Sequence, residues 1–135
     1  MNIVQAEIVE DEYGEWPSFH DAEIIKITLK RGEKPGKYAN LAADINLYYT
    51  KSINVGTSLY ETIKLKDNVI SFEFYGVDNL NLEGFNHQNV IDELHVKEGK
   101  NGYSVEFESI FGVQASFQCE DIAVLGMVSK DEYRA

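Results

Sequence analysis

The amino-acid sequence predicts an all-β domain, either a single antiparallel β-sandwich or a strongly curved sheet, with one or two short helical pieces. Three observations point there. Apolar and polar residues alternate with period two over most of the chain, as in strands that bury one face. The alternating runs are short and separated by Gly-, Asn- and Asp-rich breakers, the punctuation of antiparallel β folds. With 44% apolar and 12% aromatic residues, the chain carries enough apolar surface for a core and does not fit disorder. At 135 residues it fits one domain spanning 1–135, able to bury about two thirds of the surface its unfolded form exposes. No linker, internal repeat or low-complexity tract divides it.

Residues 7–15 fit a loop or a short helix. Ile25, Ile27 and Leu29 alternate with Lys26, Thr28 and Lys30 as a first strand, and Leu41, Ala43, Ile45, Leu47 and Tyr49 form the longest stripe. Between them Arg31-Gly32-Glu33-Lys34-Pro35-Gly36-Lys37 is polar and breaker-rich, a hairpin loop. Ile63 and Leu65 mark a third strand, closed by a turn at Lys66-Asp67-Asn68. Ile70, Phe72 and Phe74 mark a fourth, and Leu80 and Leu82 a short fifth. Residues 89–96 fit a helical turn or a strand. Tyr103, Val105 and Phe107 form the next strand; residues 109–112 connect it to Val113, Ala115, Phe117 and Cys119. The alternation slips at Glu120-Asp121, so Ile122 and Val124 follow a bulge or belong to a separate strand.

The formal net charge of −11 is unevenly spread: the first basic residue is Lys26, preceded by Glu7, Glu10, Asp11, Glu12, Glu15, Asp21 and Glu23. A potential of that sign repels phosphate backbones and attracts basic surfaces. It argues against a nucleic-acid partner and for a cationic protein, with Glu10, Asp11, Glu12 and Glu15 as contact residues; the plainer alternative is that the charge only confers solubility. The one cysteine, Cys119, allows no internal disulfide, which fits a reducing compartment. In phase with Ala115 and Phe117, it fits a small buried residue rather than a nucleophile. Residues 1–15 lack the pattern of a signal peptide, and no apolar run approaches the roughly 18 residues of a membrane span. A cytoplasmic protein without a membrane partner is expected. Nothing in the sequence indicates an oligomeric state.

Two polar segments stand out. Trp16-Pro17-Ser18-Phe19-His20-Asp21-Ala22-Glu23 packs two aromatics, a proline, a hydroxyl, an imidazole and two carboxylates ahead of a strand. Pro17 restricts Trp16 to extended backbone, and Ser18 to Asp21 has capping-box spacing. One option is a rigid corner aiming Trp16 and Phe19 into the core, with Ser18 and Asp21 bonding backbone donors and His20 a carbonyl. The others are a binding surface, or a metal or general-base site using His20, Asp21 and Glu23. In Gly84-Phe85-Asn86-His87-Gln88-Asn89-Val90-Ile91, the amides of Asn86, Gln88 and Asn89 suit an irregular turn that bonds its own backbone, or a ligand-contacting loop. Of the tyrosines, Tyr48, Tyr49, Tyr60 and Tyr75 lie near strands and could form an exposed patch. There is no P-loop, dinucleotide fingerprint, HExxH, GxSxG or paired CxxC, and no cofactor is expected.

On these two segments, together with Phe72-Glu73-Phe74-Tyr75-Gly76-Val77 and Phe117-Gln118-Cys119, the chain resembles the immunity protein 50 family of bacterial polymorphic toxin systems. The likeness spans roughly residues 16–124. It implies a mostly β, non-enzymatic protein that binds and neutralises a cognate toxin in the producer's cytoplasm. The acidity suits a basic toxin such as a nuclease with a positive phosphate-binding cleft. Two other classes remain: a small metal-dependent hydrolase or ligand-binding β domain centred on His20, Asp21 and Glu23, and a carbohydrate-binding sandwich with an aromatic platform.

Overall fold

The alternating stripes become strands. The computed structural model describes residues 2–32 and 38–135. A short helix α1 (Glu7–Tyr13) precedes β1 (Glu23–Lys30), β2 (Ala39–Ile53), β3 (Glu61–Glu83), β4 (Val90–Gly99), β5 (Gly102–Phe111), β6 (Gln114–Cys119) and β7 (Asp121–Ser129). The hairpin-loop expectation at 31–37 falls mostly on residues 33–37, outside those described.

The seven strands form one antiparallel sheet in the order β2-β1-β4-β5-β6-β3-β7, and β2 also pairs with β3. Six strands therefore close into a ring, which requires strong curvature; of the two architectures expected, the curved sheet is realised. Strands β6 and β7 follow one another along the same edge of β3, with Gln118 opposite Asp78 and Asp121 opposite Tyr75. The ring is thinnest at β1–β4, where a single ladder pair joins Glu23 to Val90.

The ring interior holds the core. Leu41, Ala43, Ile45 and Leu47 of β2 face Ile70, Phe72 and Phe74 of β3, all buried. Phe117 meets Phe74 edge-on at 5.1 Å and Phe107 at 5.9 Å, a favoured geometry for aromatic pairs. Cys119 is buried with them, and burial pushes its thiol up to about 12, so it is a packing residue. Helix α1 spans seven residues, too short to persist on propensity alone. Val9 and Tyr13, one turn apart, bury against the core. The Tyr13 hydroxyl lies 2.9 Å from both the Leu47 and Lys66 carbonyls and accepts from Asn68 Nδ2 at 3.2 Å.

Three expectations need correcting. The third, fourth and fifth strands are one 23-residue strand, β3. Lys66-Asp67-Asn68 is no chain reversal: Lys66 has φ 52°, opposite a register shift between Leu47 and Tyr49. Gly76 (φ 67°) and Asn79 (φ 53°) bend the same strand again. Residues that often end strands here act as bulges, which increase bend and twist without ending the ladder. In β1 the core face is not Ile25, Ile27 and Leu29. A register shift between Ile24 and Lys26 changes the phase, so Ile24 is fully buried, Ile27 packs at the margin and Leu29 is 52% exposed.

Where alternatives stood open, residues 7–13 are helical, 90–99 are strand, and Ile122 and Val124 belong to a separate strand. No helix among the described residues is long and apolar enough to cross a membrane.

Candidate functional site: the corner before the first strand

The segment 16–23 closes the ring. Ser18 accepts from the Leu94 N–H at 3.0 Å, Asp21 donates to the Ile91 carbonyl at 3.0 Å, Ile91 donates back to Ala22 at 2.9 Å, and Ile24 donates to Asn89 at 2.8 Å. These bonds do the zipping that the single β1–β4 ladder pair leaves undone. Phe19 and Asp21 sit at φ 66° and 63°, left-handed values that are costly for side-chain-bearing residues and persist only where the surroundings fix them. Here the seam fixes them. They also account for the absence of a helix despite the capping-box spacing, since an α-helix needs right-handed φ at both positions. The Ser18 hydroxyl instead accepts from the His20 N–H, at 3.3 Å.

Phe19 is the wedge. Fully buried, it packs edge-on against Phe72 at 5.7 Å and Trp16 at 5.6 Å. Trp16 is half-buried rather than deep in the core, since it caps Phe19 and Phe72 from outside. With Phe19 inward, the turn points His20 and Asp21 to solvent. His20 Nδ1 lies 2.9 Å from Asp92 Oδ1 and 3.1 Å from the Asp92 carbonyl; Nε2 lies 3.4 Å from Asp21 Oδ2. The Asp92 carbonyl first, then the Asp21 charge, raise the imidazole above its usual 6.5. Asp92 was missed in the sequence because it is 72 positions away and only the ring closure brings it near. The carbonyl bond expected for His20 is present, but Asp21 engages a carbonyl through its own N–H, and its carboxylate stays outside. Glu23 is not part of this pair: it heads β1 opposite Asn46 and Val90. Among the described residues, no group of three or more His, Cys, Asp or Glu side chains is placed to hold a metal ion.

Beside the corner is a groove of about 490 Å3, lined by Glu15, Ser18, His20 and Asp21 on one wall and by Tyr48, Tyr49 and Thr50 of β2 on the other. Of the acids on the approach from α1, Glu10, Asp11 and Glu15 are exposed and Glu12 is half-buried. The groove therefore sets the carboxylates of Glu15 and Asp21 beside tyrosine side chains, and the carboxylates suit cationic side chains. A larger hollow of about 630 Å3 lies over β4, β5 and β6. It holds His95, whose Nε2 is 2.6 Å from Glu108 Oε2, and Phe117 and Gln118, but no residue of the two polar segments. The corner groove is the candidate site because residues 17–21 of the first polar segment line it together with Glu15, which follows the acidic helix.

The second segment has a different role. Asn89 is only 3% exposed. Its Oδ1 accepts from the N–H groups of Asn86 at 2.9 Å and Val113 at 3.1 Å, and its Nδ2 donates to the Asn86 carbonyl at 2.7 Å. Asn86 Oδ1 accepts from the Gln88 N–H at 2.9 Å. Gly112 (φ +73°) approaches so closely that a Cβ there would lie 2.3 Å from the Gln88 carbonyl oxygen and 2.6 Å from Asn89 Oδ1. The Asn89 amide thus ties the β3–β4 loop to the β5–β6 turn, the Asn86 amide braces the loop from within, and the Gln88 and His87 side chains are exposed.

The family model for immunity protein 50 matches residues 5–128, which takes in α1, the corner, the amide lock and nearly all of β7. The chain belongs to the immunity protein 50 family. No curated protein and no solved structure matches it. The family match thus extends the likeness seen in the two polar segments to almost the whole fold.

Proposed function

We propose that this protein is a cytoplasmic immunity protein, a single domain that neutralises a cognate bacterial toxin by binding it and not by catalysis. The family match over residues 5–128 carries the proposal. The acidic approach of Glu10, Asp11, Glu12 and Glu15 beside the corner groove supports docking there. A basic toxin domain, such as a nuclease with a positive phosphate-binding cleft, would be drawn there by charge, with a few desolvated aromatics supplying most of the affinity.

The test is surface plasmon resonance against the cognate toxin domain, at low and high salt. Reversing Glu10, Glu12 and Glu15 to lysine is expected to slow association at least tenfold at low salt and to flatten its salt dependence. Dissociation should change less, because rim charges act mainly on encounter. A triple variant that associates at the wild-type rate at both salts would make the acidic helix a solvated face. Absence of binding by the wild-type protein would remove the immunity function itself.

A further inference from the structure

The ring does not contain all of β2 and β3. Pairing of β1 with β2 stops at Glu23–Asn46, and pairing of β7 with β3 stops at Ser129–Asn68. Beyond those points Tyr49 to Ile53 of β2 pair only with Glu61 to Leu65 of β3, so a two-stranded arm projects from the sheet. An isolated hairpin is marginal in water, but this one is braced at its root. Lys64 Nζ lies 4.2 Å from the centre of the Tyr48 ring, and Tyr49 packs edge-on against Tyr13 at 5.3 Å.

The tip is built as well. Thr57 Oγ1 donates to the Asn54 carbonyl at 2.7 Å and accepts from the Leu59 N–H at 3.2 Å, and Asn54 Nδ2 donates to the Leu59 carbonyl at 3.2 Å. This wiring holds Val55 at 70%, Leu59 at 72% and Tyr60 at 54% exposure. A loop that served only to reverse the chain would not need to order apolar side chains outward. Presenting them pre-ordered lowers the entropy lost when a partner covers them.

Charge indicates what covers them. Residues 49–66 carry three lysines, Lys51, Lys64 and Lys66, against one carboxylate, Glu61, on a chain of net charge −11. The arm is the cationic, apolar-tipped part of an acidic molecule, and its root shares Tyr48 and Tyr49 with the corner groove. We propose that the arm tip is the anchor of the toxin interface, seated in an apolar-lined cleft of the toxin whose rim carries carboxylates. This rests on the immunity function proposed above. Two contacts of opposite charge, acidic at the corner and basic on the arm, would also fix the docking orientation, because a reversed partner would face like charges at both.

The experiment compares three proteins against the cognate toxin domain: the wild type, a V55S/L59S tip variant and a K51E arm variant. Binding is read by surface plasmon resonance, fold by Tm, and self-association by sedimentation velocity. The tip variant should keep the wild-type Tm yet bind about 30-fold or more weaker, mainly through faster dissociation, as expected of a central anchor. K51E should slow association. Tip and arm variants that bind within threefold of wild type overturn the anchor while leaving the immunity function standing, whereas a wild type that does not bind removes both. A wild-type dimer that the tip substitutions dissolve would also overturn the proposal, by assigning the arm to a second copy of the chain, whose acidic groove has complementary charge.

Discussion

In the corner at 16–23 the aromatic Phe19 is buried and the polar His20 and Asp21 face solvent; in the loop at 84–91 the aromatic Phe85 is 45% exposed and the amide of Asn89 is buried. In sequence the two segments look alike, each a short polar run with an aromatic, an imidazole and hydrogen-bonding side chains. The structure uses them in opposite senses. Where backbone donors from two elements converge, at Asn86 and Val113, a buried amide joins them. Where the seam between elements is zipped by main-chain bonds, as from Ser18 to Ile24, the polar side chains lie on the outside. Polarity in a motif does not indicate function; a polar group not used to satisfy the fold is the one available to a partner.

The largest effect that would test this contrast is loss of the wedge. Phe19→Ala should cost about 3–5 kcal/mol, the range for deleting a buried aromatic, and lower Tm accordingly. Trp16→Ala should cost less, because Trp16 is half-buried. A Phe19 variant of wild-type stability would mean that the corner is not packed as described. Asn89→Ala should come next, at about 2–3 kcal/mol, because it strips the N–H groups of Asn86 and Val113 of their acceptor, and an unpaired buried donor costs about 1–3 kcal/mol. If chemical denaturation shows Asn89→Ala to be neutral, the amide lock is not structural and the contrast between the two segments fails.

The smallest effect is expected at His20, and pH separates it from the others. Its folded pKa is raised above the ordinary 6.5 by the Asp92 carbonyl and the Asp21 charge. Protonation therefore favours the folded state: the contribution is fully present below about pH 6.5 and is lost as pH rises through the raised folded value. The Tm gap between wild type and His20→Ala should be widest below about pH 6.5 and shrink as pH rises through the raised folded value. Being exposed, the group should move Tm only slightly. A gap that widens with rising pH would reverse the assigned sign. His95 is raised in the same direction, first by its bond to Glu108 and then by Glu93 and Glu106, so the comparison is best made in a His95→Ala background.

Much of the fold was legible because period-two alternation is a local property. The β2 stripe, the Phe72-Phe74 pair, the β5 and β6 faces and the buried Cys119 follow from spacing alone. What local spacing could not give was phase across a bulge: one register shift near Ile24 moved the β1 face, and positive φ at Lys66 let a strand continue through a turn-like sequence. At the site, Phe19 as wedge and the backbone bonding of the Asn86 and Asn89 amides were legible from residue type. Asp92 beside His20 and Gly112 beside Asn89 were not, because each contact joins residues far apart in the chain and exists only once the ring closes. The arm was hidden for the same reason: Val55, Leu59 and Tyr60 look ordinary until it is known where pairing with β1 and β7 ends.

The central claim is that the corner and arm are turned toward a partner while the amide lock is turned toward the fold. Hydrogen–deuterium exchange of the protein alone and bound to its cognate toxin domain tests it most directly. Binding should slow exchange in segments 10–21 and 51–60 and leave segment 84–89 unchanged. Protection confined to 84–89, with 10–21 and 51–60 exchanging as in the free protein, would contradict it.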